Sequence, residues 1–371
     1  MKKLLVALLL LFGSSVQAVP DEMDQKIMQL LFNAELSQAD SLINHQIAAQ
    51  PDNPKYYFLK AHFSFYSRYF SQTNVPRDSV LQVIVSAAEK AVELGKKLEK
   101  TTETKFILGS SYGLLSRAYI MQQELWDGYW AGIDSRSLLE EVIEENPEYY
   151  DAYIGLGVIH YYPSRLTGFR AFLAWLGGMS GDREKGLHYF EIAATQGDLL
   201  KLEAYFILGT MYRYLEGDFQ QAEKYLGWLA EHFPDNRFIA TQYSQVRLSK
   251  MVEEQGVEFL VAGIDSLREV YAINNSGVLN IMAYNFMGRE LYDQALPLFE
   301  LNIKLYPDQA NPYDSISECL VNMNRNEKAI EYARIGLEKL PADSTINEDF
   351  RNNLKELMET RLKDLGAQPN I

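Results

Sequence analysis

Ser276–Gln309 reads SGVLNIMAYNFMGRELYDQALPLFELNIKLYPDQ, and the next 34 residues, Ala310–Asp343, read ANPYDSISECLVNMNRNEKAIEYARIGLEKLPAD. Laid one over the other, Leu279 falls on Tyr313, Met282 on Ile316, Ala283 on Ser317, Phe286 on Leu320, Ala295 on Ala329, Phe299 on Ala333 and Pro307 on Pro341. Each copy carries two successive apolar runs at helical spacing, with small residues where the runs would cross and a proline after the second. A small residue lets two helix backbones approach closely while larger neighbours fill the holes around it. Proline ends the second run because it lacks an amide N–H and disfavours helix in the residue before it. Two adjacent copies in register predict an all-α chain built from repeated antiparallel helix pairs.

The pattern resembles the tetratricopeptide repeat (TPR), and the resemblance implies a superhelical array whose first helix in each pair lines a concave side. Working backward, Leu208-Gly209-Thr210-Met211-Tyr212, Ala222 and Pro234 form a third copy, with one extra residue near Glu216-Gly217-Asp218. Leu156-Gly157 with Tyr153, and Leu108-Gly109 with Tyr112, open two more, while Ala39 and Pro51 close one near the N-terminus. The spacings from Pro51 to Pro147, Pro147 to Pro234 and Pro234 to Pro307 exceed two periods by 28, 19 and 5 residues. About eight helix pairs are therefore expected, with extra chain spread over the second and third pairs and within the fourth. Beyond Pro341, Asn347 to Lys363 reads as a polar helix suited to cap the array.

The extra chain in the fourth pair, 161–185, is rich in aromatic residues and glycine: Tyr161-Tyr162-Pro163, then Phe169, Phe172, Leu173, Trp175 and Leu176, then Gly181-Asp182-Arg183-Glu184-Lys185-Gly186. This segment is similar to one in a TPR family that includes eukaryotic inclusion-body clearance proteins and exported bacterial relatives. The clustered apolar residues predict a wedge buried between pairs four and five, with Asp182 capping the following helix and Gly197 ending it. A docking surface is the competing expectation for the same residues. The expected organisation is thus a signal peptide over 1–18, N-terminal pairs over 19–100, central pairs with the insertion over 101–200, and C-terminal TPRs with the capping helix over 201–371.

Met1-Lys2-Lys3, the apolar run Leu4 to Phe12 and Val16-Gln17-Ala18 have the three parts of a secretory signal peptide. Nine apolar residues are too few for a membrane span, so the mature chain is expected to be exported and soluble, periplasmic or extracellular, with no membrane span after signal removal. Cys319 is the single cysteine, which excludes an internal disulfide and a multi-cysteine metal site; it is expected to pack as a small apolar residue. A net charge of −15 argues against a nucleic-acid partner, because phosphate binding needs a basic footprint.

Catalytic motifs fail on context. Gly109-Ser110-Ser111-Tyr112-Gly113 matches G-x-S-x-G, but that elbow needs a strand before it, whereas Thr104 to Leu115 has helical periodicity. Gly155-Leu156-Gly157-Val158-Ile159-His160 lacks the third glycine of a dinucleotide fingerprint. The histidines His45, His62, His160, His188 and His232 include no i,i+4 pair, and the adjacent acids Glu140-Glu141, Glu144-Glu145 and Glu253-Glu254 diverge on a helix. Asn274-Asn275-Ser276 fits a glycosylation sequon but falls where a turn between pairs is expected. No catalytic residue, metal or cofactor is expected, and the chain is read as a non-enzyme; a hydrolase could be argued only from Ser111, Ser180 and His160.

The chain has 24 tyrosines, 18 phenylalanines and 4 tryptophans, many for a helical repeat, and most are expected to fill holes between helices. In the TPR phasing Tyr161, Tyr162, Phe206, Arg213, Tyr214, Asn280, Tyr284, Asp314 and Glu318 face the concave side and are the candidate partner-binding residues. Aromatic anchors with a few charges suit an extended peptide or a partner helix. The favoured function is a scaffold holding a protein or peptide partner of unknown identity. The alternative is a solute-binding accessory of a periplasmic uptake system, similar to TPR components of some transporters, which would require a closed pocket.

Overall fold

A computed structural model describes residues 22–71, 76–166, 178 and 180–368 of the 371. The signal peptide and the apolar residues Phe169, Phe172, Leu173, Trp175 and Leu176 of the insertion lie outside the described residues. Among the described residues the chain is all-α, with 17 α-helices in sequential antiparallel pairs. It divides into two compact units, residues 1–204 and 205–371.

The first unit contains α1 (Glu22–Phe32), α2 (Leu36–Ala49), α3 (Pro54–Phe70), α4 (Arg77–Gly95), α5 (Thr102–Met121), α6 (Leu125–Glu145), α7 (Ala152–Ser164) and α8 (Arg183–Gln196), and the division falls within α9 (Lys201–Met211). The second continues with a π-helical turn (Tyr212–Glu216), α10 (Phe219–His232), α11 (Arg237–Gln255), α12 (Val257–Val270), α13 (Ser276–Gly288), α14 (Tyr292–Leu305), α15 (Asn311–Asn322), α16 (Asn326–Lys339) and the cap α17 (Glu348–Asp364). Eight pairs and a cap result, and α3 to α6 are 17, 19, 20 and 21 residues long where most later helices have 14 or fewer. Much of the extra chain in pairs two and three thus lengthens helices.

The repeat's small residues sit where helices touch. A Cβ on Gly157 would stand 2.9 Å from the Phe190 ring of α8, and one on Gly209 would stand 2.6 Å from Leu226 of α10. In the last pair the same position is Ser317, whose hydroxyl donates to the Ala329 carbonyl at 2.8 Å, joining the two small residues of the repeat directly. Ala39, Ala222, Ala283, Ala295 and Ala329 are all buried. The helices before the five period-marking prolines end at Ala49, Glu145, His232, Leu305 and Lys339, two residues short of the ring each time.

Turns within pairs repeat as well. Glu35 N–H bonds to the Leu30 carbonyl, Glu124 to Tyr119, Leu291 to Phe286 and Arg325 to Leu320, a six-to-one closure at the ends of the four first helices α1, α5, α13 and α15. The residue before each donor, Ala34, Gln123, Glu290 or Asn324, has a left-handed φ between 58° and 66°. A second regularity ties one pair to the next: Tyr57, Tyr153 and Tyr313 each donate a hydroxyl to the carbonyl of the proline six residues earlier, at 3.0 to 3.1 Å. The cap starts at Asn347, whose side chain accepts from Phe350 N–H, and buries Leu354, Met358 and Leu362 with Ala310, Ala333 and Leu340. Asp182 caps α8 by accepting from Lys185 N–H, and Gly197 follows it, its position so close to the Ala193 carbonyl that a Cβ would stand 2.4 Å away.

Candidate partner-binding site

First helices of different pairs converge in the first unit. Glu203, in the first turn of α9, is buried; its carboxylate contacts His62 Nε2 at 2.6 Å, accepts from the Tyr66 hydroxyl at 2.5 Å and stands 3.7 Å from the Arg117 guanidinium. His62 and Tyr66 lie one turn apart on α3, and Arg117 lies on α5, so three first helices meet at one carboxylate. Burial alone would raise the Glu203 pKa, but His62, Arg117 and the Tyr66 hydroxyl outweigh it and hold the carboxyl at about 2. Tyr66 is pushed well above the ordinary phenol range, by burial first and by Glu203 next. His62 Nδ1 is buried and has no hydrogen-bond partner among the described residues.

Toward solvent this base is framed by aromatic rings. Arg117 lies 5.4 Å from the centre of the Phe65 ring, and Phe65 lies 6.0 Å from Tyr69. Tyr69 on α3 and Tyr162 on α7 are 39% and 47% exposed. The Tyr162 phenol is raised by burial and by Tyr69 and lowered by Arg117, which places all three groups within electrostatic reach. The result is a part-exposed cation among aromatic faces on three successive first helices, with its counter-charge buried behind it.

The other candidate residues have different surroundings. Tyr161 is fully buried, edge-on to Tyr162 at 5.5 Å, and so offers no surface. Phe206 is buried with its ring 6.1 Å from Phe238. Arg213, in the π-helical turn, is buried; its guanidinium donates to the side-chain oxygens of Gln242 and Gln245 on α11 and lies 4.6 Å from the Tyr214 ring. Among the described residues no carboxylate pairs with Arg213, and burial lowers its pKa. Tyr214 is 36% exposed and donates to Gln242, while Asn285 donates to the Arg213 carbonyl.

Toward the C-terminus, Asn280 is buried and accepts weakly from Asn302 at 3.5 Å. Tyr284 donates to Glu318 one repeat later, at 2.8 Å. Asp314 is buried and accepts from Arg361 of the cap at 2.6 Å, with Glu318 3.9 Å from the same guanidinium. Burial raises the Asp314 carboxyl against the lowering pull of Arg361. An open cleft of about 490 Å³ beside these groups is lined by Val321, Leu357, Arg361 and Leu365 between α15 and α17. Of the nine residues Tyr162 and Tyr214 are exposed, Tyr284 and Glu318 are half-buried, and the other five are buried against neighbouring helices.

Sequence reasoning missed the Glu203 base and the Phe65, Tyr69 and Arg117 frame. A signal was present: Glu203 and Arg117 are isolated charges of opposite sign inside the apolar first-helix runs LEAYFILG and GLLSRAYIM. Nothing in a linear sequence ties them together across three repeats. Ser111 is buried within α5 and donates to the Ile107 carbonyl at 2.7 Å, so it is a helix-interior hydroxyl and not an elbow nucleophile. Cys319 is buried and its thiol is pushed up to about 11. No group of metal-ligating side chains is found among the described residues.

Solved structures similar to this chain include the TPR domain of P58(IPK), at 14% identity over 92% of this chain and 98% of that one, with a TM-score of 0.25. The APC/C hetero-tetramer Cut9–Hcn1 matches at 13% identity over 90% of this chain and 68% of that one, with a TM-score of 0.30. Yeast Tom70 matches at 11% identity over 92% of this chain and 88% of that one, with a TM-score of 0.26. No family model and no curated protein matches the chain. With its 34-residue period, its helix pairs and their small-residue crossings, the chain is a TPR-like helical repeat protein.

Proposed function

We propose that this chain is an exported, non-catalytic scaffold that holds a protein or peptide partner against the face shared by its first helices. The observation that carries the reading is the frame of Phe65, Tyr69, Arg117 and Tyr162, in which exposed aromatic faces and a cation are presented by three successive first helices over a rigid buried base. Aromatic and arginine side chains on a preformed support are the residue types that anchor partners, because they offer large contact area at low entropic cost. No described helix is long and apolar enough to cross a membrane. Export rests on the signal features of residues 1–18, and an intact mass starting at Val19 is the expected result for chain recovered from the cell envelope.

The test of binding is affinity capture from envelope extract with the wild-type chain and the Tyr69→Ala/Tyr162→Ala variant, read by quantitative mass spectrometry. Proteins retained by the wild type and lost by a variant with an unchanged thermal melt support the reading. Equal retention by both would move the partner away from this face.

A further inference from the structure

The outer side of α6 carries an apolar surface that neither the helix pairing nor the proposed partner face uses. Gly128, Ala131 and Ser135 are buried against the array, and a Cβ on Gly128 would stand 2.8 Å from Ile120 of α5, so this side of α6 faces inward. Trp126 and Trp130 project from the opposite side, 77% and 60% exposed, and Leu125 at the start of the helix is 65% exposed. Tyr129 joins them: its ring lies 6.4 Å from Trp126 and 5.1 Å from Trp130. Two outward tryptophans on the second helix of a pair oppose the usual pattern, in which that side is polar.

We propose that this surface is a self-association interface through which two copies of the chain pack α6 against α6 about a two-fold axis. The size fits a weak, reversible dimer: three large side chains at these exposures leave roughly 400 Å² of apolar area, and an interface at the low end of the range, about 600 Å² per partner and about 65% apolar, needs roughly the same. The arrangement is self-complementary, because Trp126 and Trp130 lie one helical turn apart and a two-fold axis between them sets each against the other's counterpart. Glu124 and Asp127 border Leu125 and Trp126 at the start of α6. The two carboxylates disfavour an anionic lipid surface, whereas a second copy meets the tryptophans with the same apolar rings. Because α6 is a second helix, such a dimer leaves the first-helix face of each copy free, and two faces in one particle bind a repetitive partner with avidity.

Sedimentation velocity of the purified chain from about 0.1 to 100 µM decides first. A reversible monomer–dimer equilibrium is expected, and a monomer throughout overturns the proposal, as does a monomer that pellets with phosphatidylcholine vesicles. Trp126→Ala/Trp130→Ala and, separately, Trp130→Glu are then expected to weaken the dimer at least about thirtyfold while melting like the wild type. A dimer unaffected by either variant overturns the assignment of the surface. Should both variants melt early, hydroxyl-radical footprinting of the wild type above and below its dissociation constant decides instead, and protection of Trp126 and Trp130 in the dimer alone is the supporting result.

Discussion

Glu203 shows how much one side chain can tie together when it is buried among donors. Its carboxyl is held well below the ordinary range by His62 and Arg117, so the stability it contributes is fully present above about pH 4.5 and is lost as pH falls toward about 2. Glu203→Gln is expected to destabilise by about 1.5 to 3 kcal/mol at pH 7, because the buried bonds of His62 and Tyr66 to a carboxylate are lost, and to flatten the dependence of the urea midpoint on pH between 4.5 and 2. A variant whose acid limb matches the wild type would show that Glu203 is not the group that titrates there. Gly157 tests packing at the same scale. Gly157→Leu is expected to cost on the order of 1 to 3 kcal/mol because its Cβ already meets the Phe190 ring, whereas Ser111→Ala loses one intrahelical bond worth about 1 kcal/mol or less. Thermal melts of the two variants give the order directly.

At the scale of the element, the turn inside a helix pair is the part with spare energy. Gln123 and Glu290 adopt a left-handed φ of 66° and 61° without the freedom of glycine, while Gly217 meets the same demand at 65° without strain and Asn324 at 58° with little. Gln123→Gly and Glu290→Gly are each expected to stabilise by about 0.5 to 1 kcal/mol, and chemical denaturation with an unchanged slope is the measurement. These turns were partly legible: Asn324 and Gly217 are recognisable turn residues, but Gln123 and Glu290 are not, because the six-to-one bond and not the residue type imposes the conformation. The capping helix was legible because its apolar residues recur at i and i+4 in a polar context. The tyrosine bond to the preceding proline carbonyl was written in the sequence as Pro-x5-Tyr at 51, 147 and 307, yet its meaning emerges only once helix ends and starts are in place.

For the whole molecule, charge sets behaviour that no single element does. With a net charge of −15 at pH 7 the chain repels its own copies, and its solubility is expected to reach a minimum near pH 5, close to its isoelectric point of about 4.9; static light scattering against pH locates it. Any self-association through α6 is correspondingly expected to strengthen with salt. The sequence by itself determined the helix pairs, their 34-residue period, the small crossings and the proline stops, because helix formation and pair packing depend on residues a few positions to one repeat apart. Only the tertiary structure decided which charges meet: Glu203 with His62, Tyr66 and Arg117, and Arg213 with neutral amides in place of an acid. It also decided which aromatics are spent on packing, such as Tyr161, and which stay open, such as Tyr162, its neighbour in the chain. The physical reason is that a repeat's phase sets the direction of each side chain from its own helix, while exposure depends on where helices two, three or more repeats away come to lie.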